Sequence, residues 1–132
     1  MTPEPLDPFA TYVHLHAGGA AVAATRTATF WRDLRSAPDD RIVGAVHGRD
    51  AGDLHPTEAE MHPHGDELLC LLSGSLDVVL EEPDGDRAVP LRAGQVFVVP
   101  RGAWHRLALR EPGDLLFVTP ATGTQIRDAR GR

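Results

Sequence analysis

Apolar residues in this chain come in short runs that alternate with polar ones and are cut by Gly, Pro and Asp. Such runs occupy 41–47, 68–72, 75–82, 87–91, 95–99, 104–110 and 115–119. Their close spacing, with no sustained helical period from residue 41 onward, predicts β-strands. The run 68–72 is apolar throughout, so it reads as a strand buried on both faces. Pro83-Asp84-Gly85-Asp86 predicts a tight hairpin turn, because Asp-Gly tolerates the positive φ angles such turns need. Upstream, 12–16 reads as a short strand, 20–29 leans to strand through its threonines, and 30–34 reads as one helical turn. Residues 1–10 hold three prolines and predict an extended arm, and 122–132 predict a polar, frayed tail. The expectation is an all-β antiparallel sandwich or barrel, one domain over 1–132 with its core over about 41–120.

Composition narrows the chemistry. A chain of 132 residues has room for one ordinary core. A net charge of −6 argues against a nucleic-acid or anionic-membrane surface. All 13 basic residues are arginine, so lysine Schiff bases and a phosphate-loop lysine are excluded, and the absence of Asn removes any N-glycosylation acceptor. The single cysteine, Cys70, lies in an apolar run and reads as a buried structural thiol in a reducing compartment. No apolar stretch approaches the ~18 residues of a membrane span, and the N-terminus lacks a basic-then-apolar secretory pattern. Cytoplasm is the expected location.

The densest chemistry lies between Glu60 and Glu67, where imidazole and carboxylate donors gather at His62, His64, Glu60 and Glu67. Alternate residues of a strand share a face, so Glu60, His62 and His64 are expected to point one way. Nitrogen and oxygen donors together suit a borderline divalent metal such as Zn, Fe, Mn or Ni. A further donor must come from elsewhere, and His105 is available downstream.

Two blocks of spacing carry a resemblance. In the first, Glu67 is followed by six residues and Gly74; in the second, Gly94 is followed by five residues, Pro100, one residue, Gly102, two residues and His105. These resemble the two signature blocks of the cupin family, small β-barrels of double-stranded β-helix, or jelly-roll, form that commonly hold one metal ion. The second block departs from the family pattern only at its last position, Leu109 in place of Asn. In the first, taking Glu60-x-His62 as the family's His-x-His pair restores the four-residue spacing to Glu67. It sets a glutamate where the first histidine usually sits, and Leu54 where the family has its leading glycine. The resemblance implies a cupin-like barrel with a short N-terminal extension and a divalent metal held by Glu60, His62, Glu67 and His105. His64, beside Gly65 and Asp66, reads as an exposed loop histidine at the rim, with a rim acid/base role or, if the pair is read as His62-x-His64, a ligand role as the alternatives. A homodimer is also implied.

If His105 and Glu67 face inward, alternation turns Leu107, Leu109, Leu69 and Leu71 inward too, giving a leucine wall suited to an apolar or aromatic small molecule. Two functions fit: a metal-dependent enzyme of the dioxygenase or isomerase kind, or a non-catalytic binding or structural module without bound metal. Among the other candidates, His14 and His16 share one strand face, read as solvated or as an interface, with a second metal site as the alternative. Trp104 should face away from His105 and pack between sheets or subunits. Arg101 lies in the Pro-Arg-Gly turn, exposed or facing an anionic ligand. His47 and His55 show no partner spacing.

Overall fold

The computed structural model describes residues 3–129. Its strands are β1 (Thr11–Leu15), β2 (Ala21–Thr25), β3 (Arg41–Gly48), β4 (Glu58–Met61), β5 (Glu67–Leu71), β6 (Ser75–Glu82), β7 (Gly85–Arg92), β8 (Val96–Val99), β9 (His105–Glu111), β10 (Gly113–Pro120) and β11 (Gln125–Asp128), with one α-helical turn, α1 (Phe30–Asp33), and one 3-10 turn at Ala51–Leu54. They form two antiparallel sheets, one in the order β2-β1-β3-β10-β5-β8 and the other β11-β4-β9-β6-β7. This is the jelly-roll arrangement expected of a cupin-like chain, with two sheets face to face rather than a fully closed barrel.

The period-two pattern sets what lies between them. Leu69 and Leu71 of β5, Leu76, Val78 and Leu80 of β6, Leu91, Val99 and Leu115 form one buried cluster. Each such side chain contributes roughly 1.5–3 kcal/mol by leaving water. A second cluster, Tyr12, Phe30 and Ile42, fills the end near β1 and α1. Gly44 of β3 makes that packing possible: a Cβ there would lie 2.4 Å from Cδ1 and 2.5 Å from Cε1 of Tyr12. At the opposite end Gly74 turns the chain with φ of 77°, and a Cβ would lie 2.4 Å from the Pro112 carbonyl oxygen. Both the positive φ and that backbone contact require glycine at the close of the first block.

Three expectations are corrected. The strand 68–72 is not buried on both faces: β5 alternates, with Leu68 and Cys70 half-buried on the outer side and Leu72 exposed. Cys70 is a free, half-buried thiol for the same reason. The polar tail is not free up to Asp128, because β11 pairs with β4 from Gln125–Met61 to Asp128–Glu58. Backbone pairing holds it, and all four of its residues are exposed, so no apolar alternation marked it. The remainder, 130–132, lies outside the described residues, as do residues 1 and 2 of the N-terminal arm. The described part of that arm is tied down, with the Ala45 N–H donating to the Pro8 carbonyl at 3.0 Å and the Phe9 ring stacked on His47 at 3.8 Å.

Candidate metal centre

Two sheets deliver the donors. Glu60 on β4 and His105 on β9 are direct cross-strand partners, so their side chains stand on one face. His62 follows one residue beyond the end of β4. Pro63 brings no backbone N–H to continue a ladder, and the strand ends at Met61. The Gly102 N–H donates to the His62 carbonyl at 3.0 Å, and the Ala103 N–H to the Pro100 carbonyl at 3.0 Å, so the Pro-x-Gly turn locks against the histidine loop. From the facing sheet, β5 contributes Glu67. His62, Glu67 and His105 are all buried, and the imidazoles of His62 and His105 lie 5.4 Å apart, centroid to centroid.

One donor atom each from Glu60, His62 and His105 lies within 4.8 Å of the others. Glu67 joins them: its Oε1 is 3.1 Å from His105 Nε2 and its Oε2 is 3.4 Å from His62 Nε2. Each histidine is oriented from its far nitrogen. His105 Nδ1 lies 3.1 Å from the Ala103 carbonyl, which can only accept, so Nδ1 carries the proton. His62 Nδ1 lies 2.9 Å from Thr124 Oγ1. Thr119 Oγ1 donates to Glu67 Oε2 at 2.6 Å. Holding the outer ring nitrogen and the carboxylate in this way is how proteins aim such groups at a metal.

The electrostatics are those of a crowded, cation-seeking cluster. Burial acts to raise the Glu67 carboxyl, but the hydrogen bond from His105 and the nearness of His62 override it and hold it down at about 2. Glu60 moves up, through burial and then through repulsion by Glu67. For His105 burial opposes protonation, yet the Glu67 carboxylate wins and its pKa rises. With its Nδ1 proton committed to Ala103, His105 faces Glu67 with either an imidazolium N–H or a lone pair. A lone pair there needs a cation between it and the carboxylate. His62 Nε2 is buried with no hydrogen-bond partner. A buried ring nitrogen with no well-formed hydrogen bond, aimed at two carboxylates, is costly unless a metal ion, or a proton attracted by Glu67, satisfies it.

The centre borders a cavity of about 870 Å³, within the usual size of a small-molecule site. Leu69, Leu107 and Leu115 line it, partly as alternation predicts. Leu71 packs in the core instead. Sequence reasoning missed the aromatic part of the wall, Tyr12, Phe30, Trp31 and Phe117. Tyr12 meets Phe30 and Phe117 edge to face, at 5.0 and 5.4 Å. Alternation in β1 and β10 marks Tyr12 and Phe117 as inward, but nothing local says that α1 folds across the same opening.

His64 does not follow the strand alternation expected of it. It lies in the loop beyond β4, exposed and against Gly123, outside the donor group. Trp104 faces away from His105 and is covered by Arg127 of β11, whose guanidinium carbon sits 3.9 Å from the ring centroid. Arg101 is exposed, its N–H donating to Asp66 Oδ1 at 2.7 Å, and it does not line the cavity. His47 pairs with Asp114 at 2.7 Å. His14 is not solvated: it is buried and bonded to Asp40 at 2.8 Å.

A two-sheet β-fold with paired histidines and carboxylates at one end is what the two spacing blocks anticipated. The family model described as cupin domain matches residues 51–120, more than half of the chain, and the chain belongs to that family. Among solved structures, it is similar to oxalate oxidase in complex with the substrate analogue glycolate (21% identity, 65% of this chain and 43% of that one, TM-score 0.44). It is similar also to a cupin-2 domain containing protein from Shewanella frigidimarina (20%, 61% and 69%, TM-score 0.44). A third is hydroxypropylphosphonic acid epoxidase from S. wedmorenis (18%, 61% and 42%, TM-score 0.46). The chain spans less than half the length of the oxalate oxidase it matches. No curated protein matches the sequence. Among the described residues no helix is long and apolar enough to cross a membrane.

Proposed function

We propose that the protein holds one divalent metal ion through Glu60, His62, Glu67 and His105 and presents it to a small apolar or aromatic molecule in the adjoining cavity. The observation that carries this reading is the buried, unpartnered Nε2 of His62, pointed at carboxylates that are themselves held in place. Two imidazoles with one or two carboxylates suit Mn, Fe, Zn or Ni. Such an ion supplies Lewis-acid or water-activating chemistry when bound. The chain's own contribution is orientation: Ala103 and Thr124 aim the imidazoles, and Thr119 fixes Glu67. Tyr12, Trp31 and Phe117 give an apolar seat that excludes water. We read the activity as metal-assisted, of the dioxygenase or isomerase kind.

The second reading is a binder without metal. It is favoured by how completely Glu67, His105 and Thr119 satisfy one another. Elemental analysis and titration of chelator-treated protein with Mn²⁺, Fe²⁺, Zn²⁺ and Ni²⁺ separate the two. The proposal expects one equivalent bound at this centre, lost in His62→Ala and His105→Ala and kept in His64→Ala, whatever binds elsewhere on the chain. Sub-stoichiometric metal under every condition, or loss in His64→Ala with retention in His62→Ala, contradicts it.

A homodimer is part of the same reading. Val96 and Val98 of β8 and Leu72 are exposed, and Leu68, Cys70, Leu116 and Val118 beside them are half-buried. That leaves the outer side of the six-stranded sheet apolar over β10, β5 and β8, where a solvated face would be polar. Light scattering should give twice the chain mass, and Val98→Glu should halve it. A reducing location such as the cytoplasm accords with the free Cys70.

A further inference from the structure

A second group of donors lies away from this centre, where β1 meets the loop before β3. His14 is the fourth residue of β1 and points to its buried side with Tyr12. His16, two residues on, keeps the same side just past the strand end. The two imidazoles lie flush, 4.0 Å between centroids and 11° between planes. Stacked in this way, they turn ring nitrogens toward one oxygen. His14 Nε2 is 2.8 Å and His16 Nδ1 3.5 Å from Asp40 Oδ2.

Asp40 is a rigid anchor. Its Oδ1 accepts the Ala17 N–H at 3.0 Å and its Oδ2 accepts the Ala37 N–H at 2.9 Å, so two loops hold the carboxylate from either side. The arrangement leaves a specific shortfall. His14 hydrogen-bonds Oδ2, whereas His16 Nδ1 sits at the outer limit for a hydrogen bond and makes none with it. Two ligands each ~2.0–2.1 Å from a tetrahedral ion are roughly 3.3 Å apart. The His16–Asp40 separation already matches that spacing, and the His14–Asp40 contact needs to open by about half an ångström, Nε2 giving up its proton. His16 has 42% of its side chain exposed, so the remaining coordination positions open to water.

We propose that His14, His16 and Asp40 form a second, solvent-facing site for a borderline divalent ion such as Zn²⁺ or Ni²⁺, independent of the centre at His62 and His105. One donor atom from each residue lies within 4.8 Å of the others. Two imidazoles and one carboxylate, with water completing the shell, favour Zn²⁺, Ni²⁺ or Cu²⁺ over Mg²⁺ or Ca²⁺.

The test is calorimetric titration of the chelator-treated full chain with Ni²⁺, in the parent, in His16→Ala and in His62→Ala/His105→Ala. His16 is exposed at a strand end, and its removal leaves the core intact. The site predicts two equivalents in the parent, one in His16→Ala, and one retained in the double variant. A second readout covers a double variant that does not fold: paramagnetic Ni²⁺ should broaden the amide signals of Ala17 and Ala37 in the parent, and His16→Ala should restore them. A single equivalent in the parent that His16→Ala leaves untouched, or Ala17 and Ala37 signals that stay sharp at saturation, overturns the proposal. Loss of binding in the double variant with two equivalents in the parent would mean the sites are not independent, and overturns it as stated. Failure at His62 and His105 with a retained His16-dependent equivalent would sink the first centre and leave this one standing.

Discussion

Replacing Glu67 by Gln tests the electrostatics of the centre without any metal. Three groups lean on this carboxylate: Thr119 Oγ1 at 2.6 Å, His105 Nε2 at 3.1 Å and His62 Nε2 at 3.4 Å. Its pKa falls from 4.5 to about 2 against the opposing effect of burial, which at about 1.4 kcal/mol per unit makes the ionised form worth roughly 3 kcal/mol to the fold. Because this pKa is depressed, its stabilisation is present above 4.5 and is lost as pH falls through about 2. The His105 pKa is raised, so its share is complete below 6.5 and fades as pH rises through the raised value. Both are at full strength between those limits. In chelator, urea unfolding near about pH 6 should show Glu67→Gln less stable by about 3 kcal/mol. At a pH above the raised value of His105 the penalty should shrink, because a neutral His105 turns an Nε2 lone pair toward the parent's carboxylate, whereas the glutamine amide can donate to it. Equal stability of the two proteins near about pH 6, or a penalty that stays constant while the His105 imidazole is seen by NMR to titrate, would refute the reasoning.

Thr124→Val keeps the shape of the side chain and removes the hydroxyl at His62 Nδ1. It should weaken metal binding about 10- to 100-fold, read by competition with a chromophoric chelator, while leaving the unfolding midpoint of the metal-free protein nearly unchanged. Gly44→Ala drives a methyl group into the Tyr12 ring and to 2.8 Å from Phe117 Cζ. It should cost about 1–3 kcal/mol of stability, seen as a lower thermal midpoint, and shift the near-ultraviolet dichroism of the Tyr12, Phe30 and Trp31 cluster. Asp40 is held in its ionised form by the Ala37 N–H, His14 and the Ala17 N–H, its carboxyl well below the ordinary range. Asp40→Asn should therefore flatten the loss of stability that the parent shows in strong acid, where that depressed group finally takes up its proton.

The strands from β5 to β10 were legible because each carries apolar alternation bounded by Gly, Pro or Asp. The hairpin falls in the expected stretch, but it turns on Pro83-Asp84 with Glu82 paired to Gly85, and only Gly85 takes the positive φ that the sequence assigned to both Asp84 and Gly85. The gathering of Glu60, His62, Glu67 and His105 was legible through the resemblance of the two spacing blocks to the cupin signatures; the ladder alone accounts only for Glu60 opposite His105. His64 is an exposed loop histidine, as its place beside Gly65 and Asp66 suggested; the shared face with Glu60 and His62 fails because no ladder continues past Pro63. Thr124 and Thr119 were invisible to pattern: each acts through one hydroxyl, and the segment holding Thr124 is polar on every side. The aromatic wall was hidden for a different reason. Phe30 and Trp31 sit on a single helical turn that docks on the rings of Tyr12 and Phe117, contacts between residues far apart in the chain.

The central claim is that four side chains from two sheets converge on one ion. Diffraction from crystals grown with Mn²⁺ and measured for anomalous scattering tests it most directly. The account predicts a peak within about 2.0–2.3 Å of His62 Nε2, His105 Nε2 and a carboxylate oxygen of Glu60 or Glu67. A peak at His64, or none beside His62 in crystals whose protein is shown to be folded and metal-saturated, would contradict it.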